Sequence, residues 1–145
     1  EDLSASAAPR ASVGAPSPAT ETALRSLVSQ WCDASMRRDA GAVAELLTDD
    51  AVLDAGKAIS GREAISTALH KSFAAVEWLV QLAPNAVFEV DEAEGVGTGR
   101  VLVQETSKSK RGAESVSFAL YDDHFRRVDG QWRFAARTST PLRRP

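Results

Sequence analysis

The stretch Tyr121-Asp-Asp-His-Phe-Arg-Arg-Val-Asp-Gly-Gln-Trp-Arg-Phe-Ala-Ala-Arg137 decides the fold. Two strand-like runs flank Asp129-Gly130, the dipeptide that best supplies the positive φ angles of a tight hairpin turn. In the first run Ser117, Ala119, Tyr121 and Phe125 alternate with other residues. In the second, Trp132, Phe134 and Ala136 alternate with Arg133, Ala135 and Arg137. Successive strand side chains point to opposite faces, so alternation alone puts Arg137 beside Arg133 and Ala135. On a concave, helix-covered face Arg137 is a buried cation, and a buried cation needs a partner or a task.

Upstream of the hairpin the order is helices first, then strands. Thr20 or Thr22 can cap a helix running to about residue 38, with Leu24, Leu27, Val28, Trp31 and Ser35 as its inner stripe. A short helix over 42–47 and a short strand over 51–54 follow. Ser60 and Glu63 have capping-box spacing and open a third helix to about residue 73. Strands are expected over 77–82, 86–91, 95–105, 115–127 and 132–138, with a second hairpin tip at 107–112. This is an α+β layout: a cone-shaped α+β barrel in which three N-terminal helices pack on a curved, mostly antiparallel sheet. Residues 1–20, rich in Ala, Ser and Pro, read as a disordered tail, 21–141 as the domain and 142–145 as a C-terminal tail.

The chain has 145 residues and is 43% hydrophobic, enough for one domain with a real core. A net charge of −3 with interleaved signs and no basic stripe argues against nucleic acid, and Lys108, Lys110 and Arg111 read as a solvated hairpin tip. The single Cys32 excludes an intramolecular disulfide and a cysteine zinc cluster. With only His70 and His124 besides, no metal site is expected, and no apolar run is long enough for a membrane span. The expected location is cytoplasmic, with secretion the alternative if the tail follows a cleaved signal peptide.

Several motifs sharpen this outline: Arg38-Asp39 closing the first helix, Leu46-Leu-Thr-Asp-Asp-Ala51, Gly61-Arg-Glu-Ala-Ile65, and Tyr121-x-Asp-x-Phe…Asp-Gly-x-Trp-Arg-Phe…Arg137. Together they resemble the SnoaL-like branch of the nuclear transport factor 2-like, or cystatin-like, superfamily over about residues 22–140. The nearest pattern is that of scytalone dehydratase and hexachlorocyclohexane dehydrochlorinase. The resemblance implies an Asp late in the first helix, a His on the strand after the third helix, and an Arg on the last strand. Here those positions fall on Met36, on or near Gln81, and on Arg137, so the Asp–His dyad is absent.

What the resemblance implies is a cofactor-independent cyclase, isomerase or dehydratase acting on a hydrophobic, oxygenated molecule such as a polyketide, terpenoid or steroid-like compound. The alternative is a non-catalytic binding or assembly domain of the same fold. Arg137 either grips a substrate oxygen or holds Asp123 in an ion pair. Asp33, one turn before Met36, and Asp54, at a strand end, are the candidate proton carriers, each with a solvated alternative. Tyr121 is a candidate hydrogen-bond donor to substrate. Trp31, Cys32, Met36, Leu53, Phe73, Gln81, Val101, Val103, Ser117 and Ala119 are the candidate lining. Glu105 continues the Val101 and Val103 face, but its place at the expected strand end favours solvent. Val116, Phe118 and Leu120, with Trp132 and Phe134 on the next strand, form an apolar outer face that predicts a homodimer.

Overall fold

The computed structural model describes residues 13–143. Its elements run α1 (Pro18–Met36), α2 (Ala40–Ala44), β1 (Leu47–Asp54), β2 (Ala58–Ser60), α3 (Arg62–Ala74), β3 (Val76–Asp91), β4 (Val96–Ser109), β5 (Glu114–Val128) and β6 (Gln131–Arg143). One six-stranded sheet has the order β2-β1-β6-β5-β4-β3. Every pairing is antiparallel except β1 with β6. The sheet is curved but open, with β2 and β3 as its edges, and with the three helices it forms the expected cone-shaped α+β fold.

Local chemistry accounts for these boundaries. The Ser17 hydroxyl accepts from the Thr20 N–H, and Pro18 at the first helical position needs no amide partner, so α1 starts earlier than Thr20. Leu24, Leu27, Val28 and Trp31 recur at helical spacing and are buried. At the far end Arg38 takes φ 55, and its guanidinium donates to the Val76 and Glu77 carbonyls. Arg25 does the same to the Ala86 carbonyl, so Arg25 of α1 and Arg38 just beyond it cover the open edge of β3. That edge also accommodates Pro84, which interrupts the ladder between Leu82 and Asn85 without ending the strand. The two short strands expected over 77–91 are therefore one.

Residues 14–20, expected as part of a disordered tail, are instead tied to the domain. Residues 1–12 lie outside the described residues, but Gly14 pairs with Val90, and Glu92 accepts from the Ser17 N–H and the Thr20 hydroxyl. At the other end β6 runs on through Arg143, past the expected boundary at 141. Ser60 and Glu63 do not form a capping box: Gly61 caps α3 with φ 95 and no side-chain bond.

The Asp129-Gly130 turn is as expected, with φ 51 and 79. Beyond it lies a difference that matters. Phe125 pairs with Phe134 while His124 pairs with Ala136, so Ala135 is an extra residue in β6. This bulge reverses the alternation. Phe134 and Arg137, three apart, both turn inward, and the expectation that Phe134 faces outward is corrected. Phe134 meets Trp31 edge-on at 5.3 Å and Phe125 at 5.1 Å, and Phe125 meets Phe88 at 5.7 Å. These rings fill the narrow end of the cone. Gly99 permits it, because a Cβ there would sit 2.9 Å from both Phe88 and Phe125.

Candidate functional site

Strand register brings the polar groups of the concave face together in rows. In one, Leu53 of β1 lies beside Arg137 of β6, then Asp123 of β5 and Gly99 of β4. The next holds Ser139, Tyr121 and Val101, and towards the wide end follow Pro141, Ala119 and Val103. Gln81, Glu105 and Ser117 form a further row, and Leu79, Ser107 and Ser115 the outermost.

Arg137 and Asp123 are 2% and 1% exposed. Nε donates to Oδ1 at 2.8 Å and Nη2 to Oδ2 at 3.1 Å, a bidentate buried pair. Its Cζ lies 4.6, 4.4 and 4.5 Å from the ring centres of Trp31, Tyr121 and Phe134. A cation boxed by three rings keeps part of the stabilisation it loses with water. Burial pushes the Asp123 carboxyl up, and the adjacent guanidinium pulls it back. Two charge-assisted bonds keep it ionised at neutral pH. Nη1 has no protein acceptor among the described residues and is the donor left for other work.

Burial pushes the Tyr121 phenol up, opposed by Arg137 and by a hydrogen bond with Ser139. It likewise pushes the Cys32 thiol up, with Arg137 lowering it and Glu105 raising it further. Both groups are neutral at pH 7, which suits Tyr121 as a donor and leaves Cys32 a poor nucleophile.

The carboxylate on this face besides Asp123 is Glu105, not Asp33 or Asp54. Gln81 Nε2 donates to Glu105 Oε1 at 3.2 Å across β3 and β4. The expectation that Glu105 faces solvent failed because β4 continues to Ser109, leaving Glu105 well inside the strand and half-buried. Asp33 is 67% exposed by side chain and pairs with Arg37 at 3.0 Å. It shares a helix face with Met36, itself 37% exposed, but that face is the solvent one. Asp54 accepts from the Gly56 N–H at 3.0 Å and stabilises a turn on the opposite parity from buried Leu53. Of the other candidates, Trp31, Cys32, Leu53, Phe73, Gln81, Val101 and Val103 are buried, Ala119 is half-buried and Ser117 is exposed at the wide end. His70 and His124 are exposed.

A groove of about 750 Å³ lies elsewhere, between α1, α2 and the β5–β6 hairpin, with Gln30, Arg62, Trp132 and Arg133 in its walls. It is mixed in character and its arginines are bound to the Leu47 and Glu45 carbonyls, so it presents no chemistry comparable to the concave face. Among the described residues no three His, Cys, Asp or Glu side chains gather as a metal site, and no helix is long and apolar enough to cross a membrane.

Helices on one side of an open, curved sheet, with polar groups at the bottom of the cone, define the nuclear transport factor 2-like α+β class. The chain belongs to the SnoaL-like domain family, whose model matches residues 17–138. No curated protein matches the sequence. Among solved structures it is similar to Rv3472, a protein of unknown function from Mycobacterium tuberculosis, at 25% identity over 87% of this chain and 78% of that one, TM-score 0.78. It is also similar to a scytalone dehydratase-like protein from Novosphingobium aromaticivorans, 16% identical over 86% and 85% of the two chains, TM-score 0.80. A third is the hexachlorocyclohexane dehydrochlorinase LinA-type3 from Novosphingobium barchaimii, 19% identical over 86% and 88%, TM-score 0.77. At these identities the last two likenesses speak to the fold.

Proposed function

We propose that the chain is a cofactor-independent enzyme of the lyase, isomerase or cyclase type that moves a proton on a hydrophobic, oxygenated small molecule, such as a polyketide, terpenoid or steroid-like compound. The observation that carries this reading is the Gln81–Glu105 hydrogen bond, which holds a half-buried carboxylate on the concave face. By the resemblance, the His position of the dehydratases falls on or near Gln81. An amide cannot carry a proton at neutral pH, but it can fix the carboxylate that does.

In this mechanism Glu105 takes a proton from the carbon next to a substrate carbonyl. The C–H electron pair moves onto the carbonyl oxygen, which becomes an enolate held by the Tyr121 O–H and by Nη1 of Arg137. Return of the proton to another carbon gives isomerisation. Loss of a β-substituent gives elimination, and attack on a second carbonyl gives cyclisation. Val101, Val103 and Trp31 keep the reacting atoms out of bulk water.

A hydrophobic ketone tests this. 2-Tetralone dissolved in D2O should exchange its α-protons faster with the protein than with buffer, followed by NMR. An unchanged rate would favour the second reading, a non-catalytic binding domain. The absent Asp–His pair and the solvent-facing Asp33 support that alternative.

The proposed protein partner is a second copy of the chain. On the outer face Trp78, Val80 and Leu82 of β3 and Val116, Phe118 and Leu120 of β5 flank Thr106, Gln104 and Leu102 of β4. Trp132 and Phe134 do not belong to this patch: Trp132 packs against the core and carries Arg127 over its ring. Light scattering at micromolar concentration should give twice the monomer mass, and a monomer would reject the partner.

A further inference from the structure

We infer that the concave face selects neutral or cationic ligands and excludes carboxylates and phosphates. This deepens the proposed function and rests on the concave face being where the ligand binds. By strand register, the charged side chains on that face among the described residues are Arg137, Asp123 and Glu105, with Arg127 at the far end beyond Phe125, where it lies over Trp132 and pairs with Glu92. Arg137 is already engaged by both oxygens of Asp123, and Arg127 is paired with Glu92, so neither pair presents a net charge to a ligand.

Glu105 remains. Its hydrogen bond is to the neutral amide of Gln81, and it has no ion-pair partner among the described residues. Cys32 and Tyr121 are neutral at pH 7 and offset nothing. The face therefore carries one uncompensated negative charge beside the space a ligand would occupy. Cations at the wide rim do not reverse this. Arg38 is tied to the Val76 and Glu77 carbonyls and Lys108 to the Glu77 carboxylate, and Arg38 and Lys110 are exposed and solvated.

The neutral groups of the same face complete the ligand's description. Ser107, Ser115, Ser117 and Ser139 bring hydroxyls to the concave side, with the first two bonded at 3.3 Å. Hydroxyls serve alcohols, ethers and ammonium groups alike. The aromatic rings that could box a ligand cation already surround Arg137. An ammonium group would be anchored by Glu105 instead.

A matched series separates charge from shape: 2-aminotetralin as the ammonium, 2-tetralol as the neutral alcohol and tetralin-2-carboxylate as the anion, titrated calorimetrically at pH 7. The carboxylate is expected to bind at least about tenfold more weakly than the amine, a difference of about 1.4 kcal/mol. Glu105→Gln, close to isosteric and checked for an unchanged melting curve, should remove most of that gap. Equal or tighter binding of the carboxylate, a preference that survives Glu105→Gln, or no binding of any of the three at millimolar concentration would overturn the inference. Charge selectivity without α-proton exchange would sink the enzyme reading and leave this one standing.

Discussion

Asp123→Asn isolates what the buried ion pair contributes. The substitution keeps Arg137 charged and 2% exposed but removes one of its two acceptors. The new amide offers one oxygen, and its NH2 group faces a guanidinium N–H donor to donor. Removing one partner of a buried pair costs about 3–5 kcal/mol. The three rings within 4.6 Å of the guanidinium cushion the stranded cation, so the lower end, about 3 kcal/mol, is expected. For a chain of this length that is a fall in Tm of about 12 °C. Urea unfolding with an unchanged slope is the assay. Arg137→Met should cost a similar amount, since it leaves the Asp123 carboxyl buried without its cation. The double variant Asp123→Asn, Arg137→Met should lose less than the sum of the singles, with a coupling of about 2 kcal/mol or more. A loss below about 1 kcal/mol for Asp123→Asn, or strict additivity in the cycle, would refute the reasoning.

Gly99→Ala places a methyl 2.9 Å from Phe88 and Phe125 and should cost about 1–3 kcal/mol in urea unfolding, whereas Gly112→Ala, at φ 92 in open space, tests backbone strain without a clash. Hydrogen bonds from the Ser17 N–H and the Thr20 hydroxyl hold the Glu92 carboxyl below its ordinary range. Its contribution is present above the unfolded pKa and lost as pH falls through the lower folded value, so Glu92→Gln should flatten the decline of Tm below about pH 4.5. Deleting residues 1–17 removes the Gly14–Val90 pairing and the α1 cap, and should lower Tm by several degrees, at about 0.5–2 kcal/mol for the cap. An unchanged melting curve would show that the N-terminal segment contributes nothing.

What was legible in the sequence was whatever is set locally. Asp129-Gly130 announces its turn because two positive φ angles select those residue types. The helical stripe from Leu24 to Trp31 announces α1 for the same kind of reason. What failed depended on one residue more or less. Alternation through β6 presumes no bulge, and the extra Ala135 sends Phe134 inward and so removes it from the outer face. Asp33 was correctly placed on the face of Met36, but two positions from Trp31 is 200° around the helix, which is the solvent side. Glu105 looked terminal because its strand was expected to stop there. Nothing in residues 106–109 says that the ladder to β3 continues, since that is decided by a strand distant in sequence.

The measurement that bears most directly on the central claim is the rate of α-proton exchange into 2-tetralone, compared in Glu105→Gln and Asp33→Asn. With Glu105 as the proton carrier, the rate in Glu105→Gln should fall by about 10²-fold or more, the ordinary worth of a general base, while Asp33→Asn stays at the wild-type rate. A wild-type rate in Glu105→Gln, or a loss confined to Asp33→Asn, would contradict the assignment.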